Sequence, residues 1–355
     1  MNSSLASLLP VPPAWEPALR GDPEAAPPVP SARRIGGSHQ GRALWGIVAG
    51  SGPLRVSITA GAHADEPVGP RAAALLADAL AGAASPRARR LARLATFHIV
   101  PHANPDGGAA NEPWALHFGD FAAWLRLAVR DPPGLDVEFN YPRDEHDAAA
   151  RPENLAIARF LREAGGPFDV HLSLHSMAFA EGAWMLIDPA WIERTASLRA
   201  RLARAAAAMG LGLHDVDRRG EKGFHRIAPG FATTPSSVAM AAYFRELGDE
   251  ATAGLFRPSS MEFVRSLGGE PLCLVTECPN FEIAAARGEA SPLGQRPHLR
   301  LRDALPAVRV ALLAGDRAPV DALVREFQLT PVDRRRHAWL QLRTVEEAVL
   351  LRAAQ

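Results

Sequence analysis

The run PLCLVTE (271–277) is short, apolar and ends in a carboxylate. Such a run fits a strand covered on both faces at the centre of a parallel sheet. Working upstream, FDVHLSLHS (168–176), GAWMLI (182–187) and TFHIVPH (96–102) read as further strands. ALWGIVAG (43–50) and LRVSITAG (54–61), joined by Ser51-Gly52-Pro53, read as a β-hairpin or two adjacent strands. Helices are predicted from Glu66-Pro67 to about Ala81, over 86–95, from Pro152-Glu153 onward, and over WIERTASLRARLARAAAAMG ending at Gly210. Strands alternating with helices imply an α/β sandwich, in which ligands bind beyond the carboxyl ends of the strands. Asn104-Pro105-Asp106-Gly107 reads as a turn opening a loop-rich stretch to about 152, and the glycine- and proline-punctuated span 211–240 reads as a loop that shapes a site.

The chain has 355 residues, with 39 Lys+Arg balanced by 39 Asp+Glu. A chain of this length buries roughly 75% of its unfolded surface and needs no disulfide or metal staple to form a core. Its neutrality gives no electrostatic reason to seek nucleic acid or an anionic membrane, so neither is expected as a partner. No stretch approaches the ~18 apolar residues of a membrane span, and the proline-interrupted N-terminus lacks the pattern of a signal peptide. Cys273 and Cys278 flank the end of one strand, where a bridge would strain the backbone, so two buried thiols and a cytoplasmic location are expected. Three segments are expected: a Pro-rich arm over 1–33, a catalytic domain over 34–317 and a helical extension over 318–355. Oligomeric state is not legible.

Three strand ends carry chemistry. ITAGAHADE places His63 and Glu66 three apart at a helix start, where both can reach one cation, although the same pair also suits a capping carboxylate beside a surface histidine. On FDVHLSLHS, His171, Ser173 and His175 face one way. His175 is nearest the carboxyl end and is the better third ligand, while His171 suits a core or supporting role. Glu277 emerges from a buried run, and that is costly unless a cation, a metal-bound water or a structural salt bridge satisfies it. Three ligands leave the fourth position of one Zn2+ per chain open, and Glu277 becomes the base that moves the proton of an attacking water. The chemistry predicted is metal-assisted hydrolysis of an amide.

The ordered set GAHADEP, PHANPDG, GLDVEFNYP, LSLHS and LVTECP resembles the zinc carboxypeptidases of the carboxypeptidase A type, across about residues 40–310. The resemblance implies a three-layer α/β/α sandwich with a mixed, mostly parallel central sheet of about eight strands. It also implies zinc on His63, Glu66 and His175, with Glu277 as general base. An arginine of FAAWLRLAVRD, Arg126 or preferably Arg130, would stabilise the oxyanion. Tyr243 would close over substrate, and Glu262 would line the side-chain pocket.

The family's pattern for gripping a C-terminal carboxylate is G-V-D-L-N-R-N-F-P, and this chain departs from it. Its Asn-Arg pair becomes Glu138-Phe139, which removes the cationic clamp. Three readings follow: Asn140 and Arg143 replace the pair, Glu138 selects a cationic or amide group, or Glu138 is a rim residue paired with an arginine. The substrate expected is a peptide or an N-acyl amino acid. The competing functions are a deacylase like aspartoacylase or succinylglutamate desuccinylase, and a non-catalytic zinc or peptide-binding module.

Overall fold

The structure is a computed structural model that describes residues 9–83, 85–286 and 296–355. Among these, ten strands form one sheet: β1 (Ala32–Gly37), β2 (Ala43–Gly50), β3 (Leu54–Ala60), β4 (Ala95–Val100), β5 (Val170–Ala180), β6 (Trp184–Ile187), β7 (Arg226–Ala228), β8 (Phe231–Thr233), β9 (Leu272–Ile283) and β10 (Leu329–Pro331). Their order is β1-β2-β4-β3-β5-β9-β6-β8-β7, with β10 also pairing β9. The centre, β4-β3-β5-β9, is parallel and the margins are largely antiparallel. PLCLVTE lies in the middle as read, with β5 on one side and β6 on the other. The count exceeds the expected eight mainly through β7, β8 and β10, each three residues long.

Alternation along the central strands divides two helical layers. Ile58, Leu172, Leu174 and Leu274 are buried in one core with Ala73 and Leu80 of the helix Val68–Ala81, Leu198 and Leu202 of Ala196–Ala208, and Leu340 and Val349 of Arg334–Ala353. The helices Pro152–Arg162 and Ser260–Ser266 cover the opposite face, against β1 and β5 respectively. This is the α/β/α sandwich expected.

Three local readings change. β2 and β3 do not pair, because β4 runs between them, antiparallel to β2 and parallel to β3. The turn Ser51-Gly52-Pro53 instead crosses the end of the helix Pro86–Leu94. There Ser51 N donates to Ala92 O, and a Cβ at Gly52 would lie 2.2 Å from the Ala95 nitrogen. Asn104-Pro105-Asp106-Gly107 starts the helix Pro105–Ala115, with Asn104 as N-cap accepting from Gly107 N and Pro105 at the first position, where its missing N–H costs nothing. A second helix, Phe121–Leu127, lies in the same supposedly loop-rich stretch, capped by Asp120.

Residues 318–355 carry β10, and their last helix buries Leu340, Val345 and Val349 in the main core. The N-terminal arm buries Trp15 completely and packs the helix Trp15–Leu19 against Val68–Ala81; residues 1–8 lie outside the described residues. Cys273 and Cys278 are buried free thiols, as expected. Among the described residues no helix is long and apolar enough to cross a membrane.

Candidate metal centre

Parallel register sets the chemistry-bearing residues in rows across the sheet. Ser57 of β3 stands opposite His171 of β5, Thr59 opposite Ser173, and His175 opposite Glu277 of β9. Because side chains alternate, His171, Ser173 and His175 share one face, as the sequence implied. His171 is fully buried, its Nδ1 2.8 Å from Ser57 Oγ and its Nε2 3.1 Å from Ser260 Oγ, so it is a supporting residue. Burial holds its pKa down at about 4.

His63, Glu66 and His175 converge on one point. His63 Nδ1 is 2.7 Å from Glu66 Oε1, His175 Nδ1 is 3.0 Å from Glu66 Oε2, and the two Nδ1 atoms are 2.9 Å apart. A tetrahedral zinc with arms of 2.0–2.1 Å has an edge of about 3.3 Å, so small movements of these side chains admit the ion. The donor set, two imidazoles and one carboxylate, suits zinc. Each imidazole also has a carboxylate behind it. His63 Nε2 lies 3.5 Å from Asp136 Oδ2, and His175 Nε2 lies 2.7 Å from Ser173 Oγ and 3.2 Å from Glu138 Oε2. Such partners fix ring orientation and tautomer at metal sites.

The electrostatics point the same way. Burial and the Arg130 charge both oppose protonation of His63, yet Glu66 and Asp136 outweigh them and its pKa is raised to about 9. Burial likewise opposes ionisation of Glu66, but His63 and His175 hold its carboxyl well below the usual range. Positive charge is thus favoured between these carboxylates, at the place a cation would take. Glu277 behaves oppositely: burial first, then the Glu66 charge, push it up to about 8.

These groups open on a cavity of about 400 Å³, lined by His63, His175, Glu277, Arg130, Asp136 and Glu138 on the polar side. Arg130 lines the cavity with its Nη1 3.3 Å from Asp65 and 3.4 Å from Glu66, whereas Arg126 donates to Leu312 O. Phe139, Phe256, Met240 and Val275 form apolar wall, and the span 211–240 contributes Arg218, Lys222 and Phe224.

The expected substrate-binding residues fare differently. Glu138 does line the cavity but is neither a rim residue nor free to select substrate. Its Oε1 accepts from Ser260 N and Oγ, and its Oε2 accepts from Ser173 Oγ and faces His175. None of Asn140, Arg143, Tyr243 and Glu262 lines this cavity. Asn140 bridges Gly134 O and Arg151 N, and Arg143 donates to Phe256 O. Tyr243 lies outside the lining, its ring 4.6 Å beneath Lys222 Nζ. Glu262 completes a capping box with Ser259 and accepts from Ser237. Nearby backbone uses Asn140, a cap uses Glu262, and the distant Phe256 carbonyl uses Arg143.

Sequence reasoning missed Asp136, Ser173, Ser260 and Lys222. Asp136 sat inside the quoted GLDVEF, and Ser173 shared the face of His175. Lys222 is the only lysine and lies in the loop assigned to shaping the site. Ser260 carried no signal.

The family model described as "Zinc carboxypeptidase" matches residues 24–180. That stretch contains His63, Glu66, Asp136, Glu138 and His175; Glu277 lies beyond it. No curated protein matches the chain. Among solved structures, a metallo-carboxypeptidase from Burkholderia cenocepacia is 17% identical with TM-score 0.48, covering 97% of this chain and 69% of that one. A metallo-carboxypeptidase from Pseudomonas aeruginosa, in complex with (2-guanidinoethylmercapto)succinic acid, is 18% identical with TM-score 0.48, covering 91% of this chain and 65% of that one. Carboxypeptidase A from Helicoverpa armigera is 14% identical with TM-score 0.48, covering 91% and 68% respectively. The chain thus spans about two thirds of the length of these three.

Proposed function

We propose that this chain, whose residues 24–180 match the zinc carboxypeptidases, is a zinc-dependent hydrolase cleaving a peptide or amide bond next to a terminal residue. The observation that carries the reading is the β5–β9 register. It sets Glu277 beside His175, so that a carboxylate meets the cavity where the two histidines and Glu66 converge. His63, Glu66 and His175 would hold the ion. When bound, zinc polarises a carbonyl and lowers the pKa of a water to about 7.

The protein's own groups do the rest. Glu277 takes the proton of the attacking water and delivers it to the leaving nitrogen. Arg130 reaches the same cavity and supplies a guanidinium for the developing oxyanion. Asp136 and Glu138 hold the imidazoles in register.

Since Glu138 is fully engaged, substrate recognition passes to other residues of the lining. Lys222 lies 4.6 Å over the Tyr243 ring and forms no ion pair among the described residues, while Arg218 is paired with Glu221. An anionic end held by Lys222 and an apolar side chain against Phe139, Met240 and Phe256 fit this cavity. A cytoplasmic location belongs to the same proposal, supported by the unpaired Cys273 and Cys278.

The test is zinc-loaded protein incubated with a library of peptides and N-acyl amino acids, with products read by mass spectrometry. Wild type should release terminal residues or acyl groups, Glu277→Gln should not, and Lys222→Met should raise KM for substrates with a free carboxylate. Identical silence from wild type and Glu277→Gln across the library would remove the hydrolase reading. N-acyl products alone would shift it to the deacylase class.

A further inference from the structure

Away from the cavity, Glu181, His214 and His298 repeat the plan of the first cluster. Glu181 immediately follows β5, six residues beyond His175, which is on the order of 20 Å along a strand. His214 belongs to the segment between the helix Ala196–Ala208 and β7, and His298 lies in the first turn of the helix Pro297–Leu313. One Glu181 oxygen contacts His214 Nδ1 and the other lies 2.9 Å from His298 Nδ1. The imidazoles meet edge to face at 4.9 Å between centroids, and one ligand atom from each residue lies within 4.8 Å of the others. In both clusters a single glutamate divides its oxygens between two histidine Nδ1 atoms.

The backbone around His214 is already fixed. Ala183 N donates to Gly212 O, His214 N donates to Ala183 O at 3.0 Å, and Trp184 packs its ring against the imidazole at 5.5 Å. His214 is 5% exposed, and the Glu181 and His298 side chains are 14% exposed. Donors held this firmly, with water within reach for a remaining position, meet the ligand type and number that a divalent first-row metal requires.

We propose that Glu181, His214 and His298 bind a second divalent transition-metal ion, zinc or a close analogue, as a structural clamp. The clamp ties the end of β5, the start of the helix Pro297–Leu313 and the segment that supplies Arg218, Lys222 and Phe224 to the cavity wall. Among the described residues no carboxylate stands behind either of these histidines, so this site binds more weakly than the first, by about 10–100-fold. Its existence does not depend on the hydrolase reading.

The experiment is metal analysis of chelator-stripped protein re-equilibrated with zinc and then freed of loose ion. Wild type should retain about two zinc ions per chain at saturation, while His298→Ala and His63→Ala should each retain about one. Glu181→Gln, which preserves shape, should lose the same ion as His298→Ala and serves if the alanine variant does not fold. Equal zinc in wild type, His298→Ala and Glu181→Gln would overturn the proposal and leave the cluster an ion pair. Loss in His298→Ala and Glu181→Gln, with none in His63→Ala, would sustain this site and remove the ligand assignment at the other.

Discussion

The two glutamate-histidine-histidine clusters share donor types and the Nδ1 geometry, yet they differ in what surrounds them. Around His63, Glu66 and His175 stand Asp136 and Glu138 behind the rings, a raised Glu277 at the front, Arg130 to the side and a cavity of about 400 Å³. Around Glu181, His214 and His298 the described residues offer packing and backbone hydrogen bonds, the buried Glu282 is already engaged by Gly212 N, and none of the three lines the cavity. A ligand set alone says where an ion can sit, whereas the residues one layer out decide whether anything is catalysed there.

The largest effect should separate the clusters by chemistry. Glu277→Gln keeps the ligands and removes the base, so hydrolysis should fall by about 10²–10⁴-fold with zinc at the first cluster unchanged. Glu181→Gln should leave kcat within a few-fold of wild type. Comparable losses of kcat in both variants, measured by steady-state kinetics with metal content, would erase the distinction.

A smaller effect should come from the carboxylates behind the imidazoles. Asp136→Asn and Glu138→Gln are each expected to weaken zinc at the first cluster by about 10–100-fold. Competition with a chromophoric chelator measures this. The result bears on specificity too, because a Glu138 that merely repelled substrate carboxylates would leave zinc affinity intact and raise activity when neutralised.

A third effect concerns acid. His171 and His337 are buried beside the first cluster, and burial lowers their pKa values to about 4 and about 3. Both are neutral in the fold and charge more readily in the unfolded chain, where the ordinary value is 6.5. Their contribution to stability is therefore present above pH 6.5 and is lost as pH falls through the folded values. The shifts correspond to at most about 3 kcal/mol for His171 and about 5 kcal/mol for His337. Urea unfolding of metal-free protein between pH 7 and 4 should show this decline, with a shallower slope in His337→Gln; an unchanged slope would assign acid lability to other groups.

Much of this was legible in the sequence because it depends on short-range pattern. Apolar runs ending in His175 and Glu277 marked buried strands, and the period of two placed His171, Ser173 and His175 on one face. The order of strands was not legible, since nothing local to 43–61 says that β4 will enter between β2 and β3. Nor was the role of Glu138, because Ser260, which satisfies one of its oxygens, arrives 122 residues later. Asn140, Arg143 and Glu262 looked like recognition groups, but nearby backbone claims Asn140, a cap claims Glu262, and Arg143 meets the Phe256 carbonyl 113 residues on, a competition visible only in the folded chain. Lys222 could be counted but not aimed, for its place over Tyr243 depends on the fold of the intervening loop.

The most direct measurement is anomalous diffraction at the zinc edge from crystals grown at limiting zinc. A strong peak is expected between His63 Nδ1, His175 Nδ1 and Glu66, and a weaker one at Glu181, His214 and His298 that grows as zinc is raised. A zinc-replete crystal with no peak at His63, Glu66 and His175 would contradict the metal assignment.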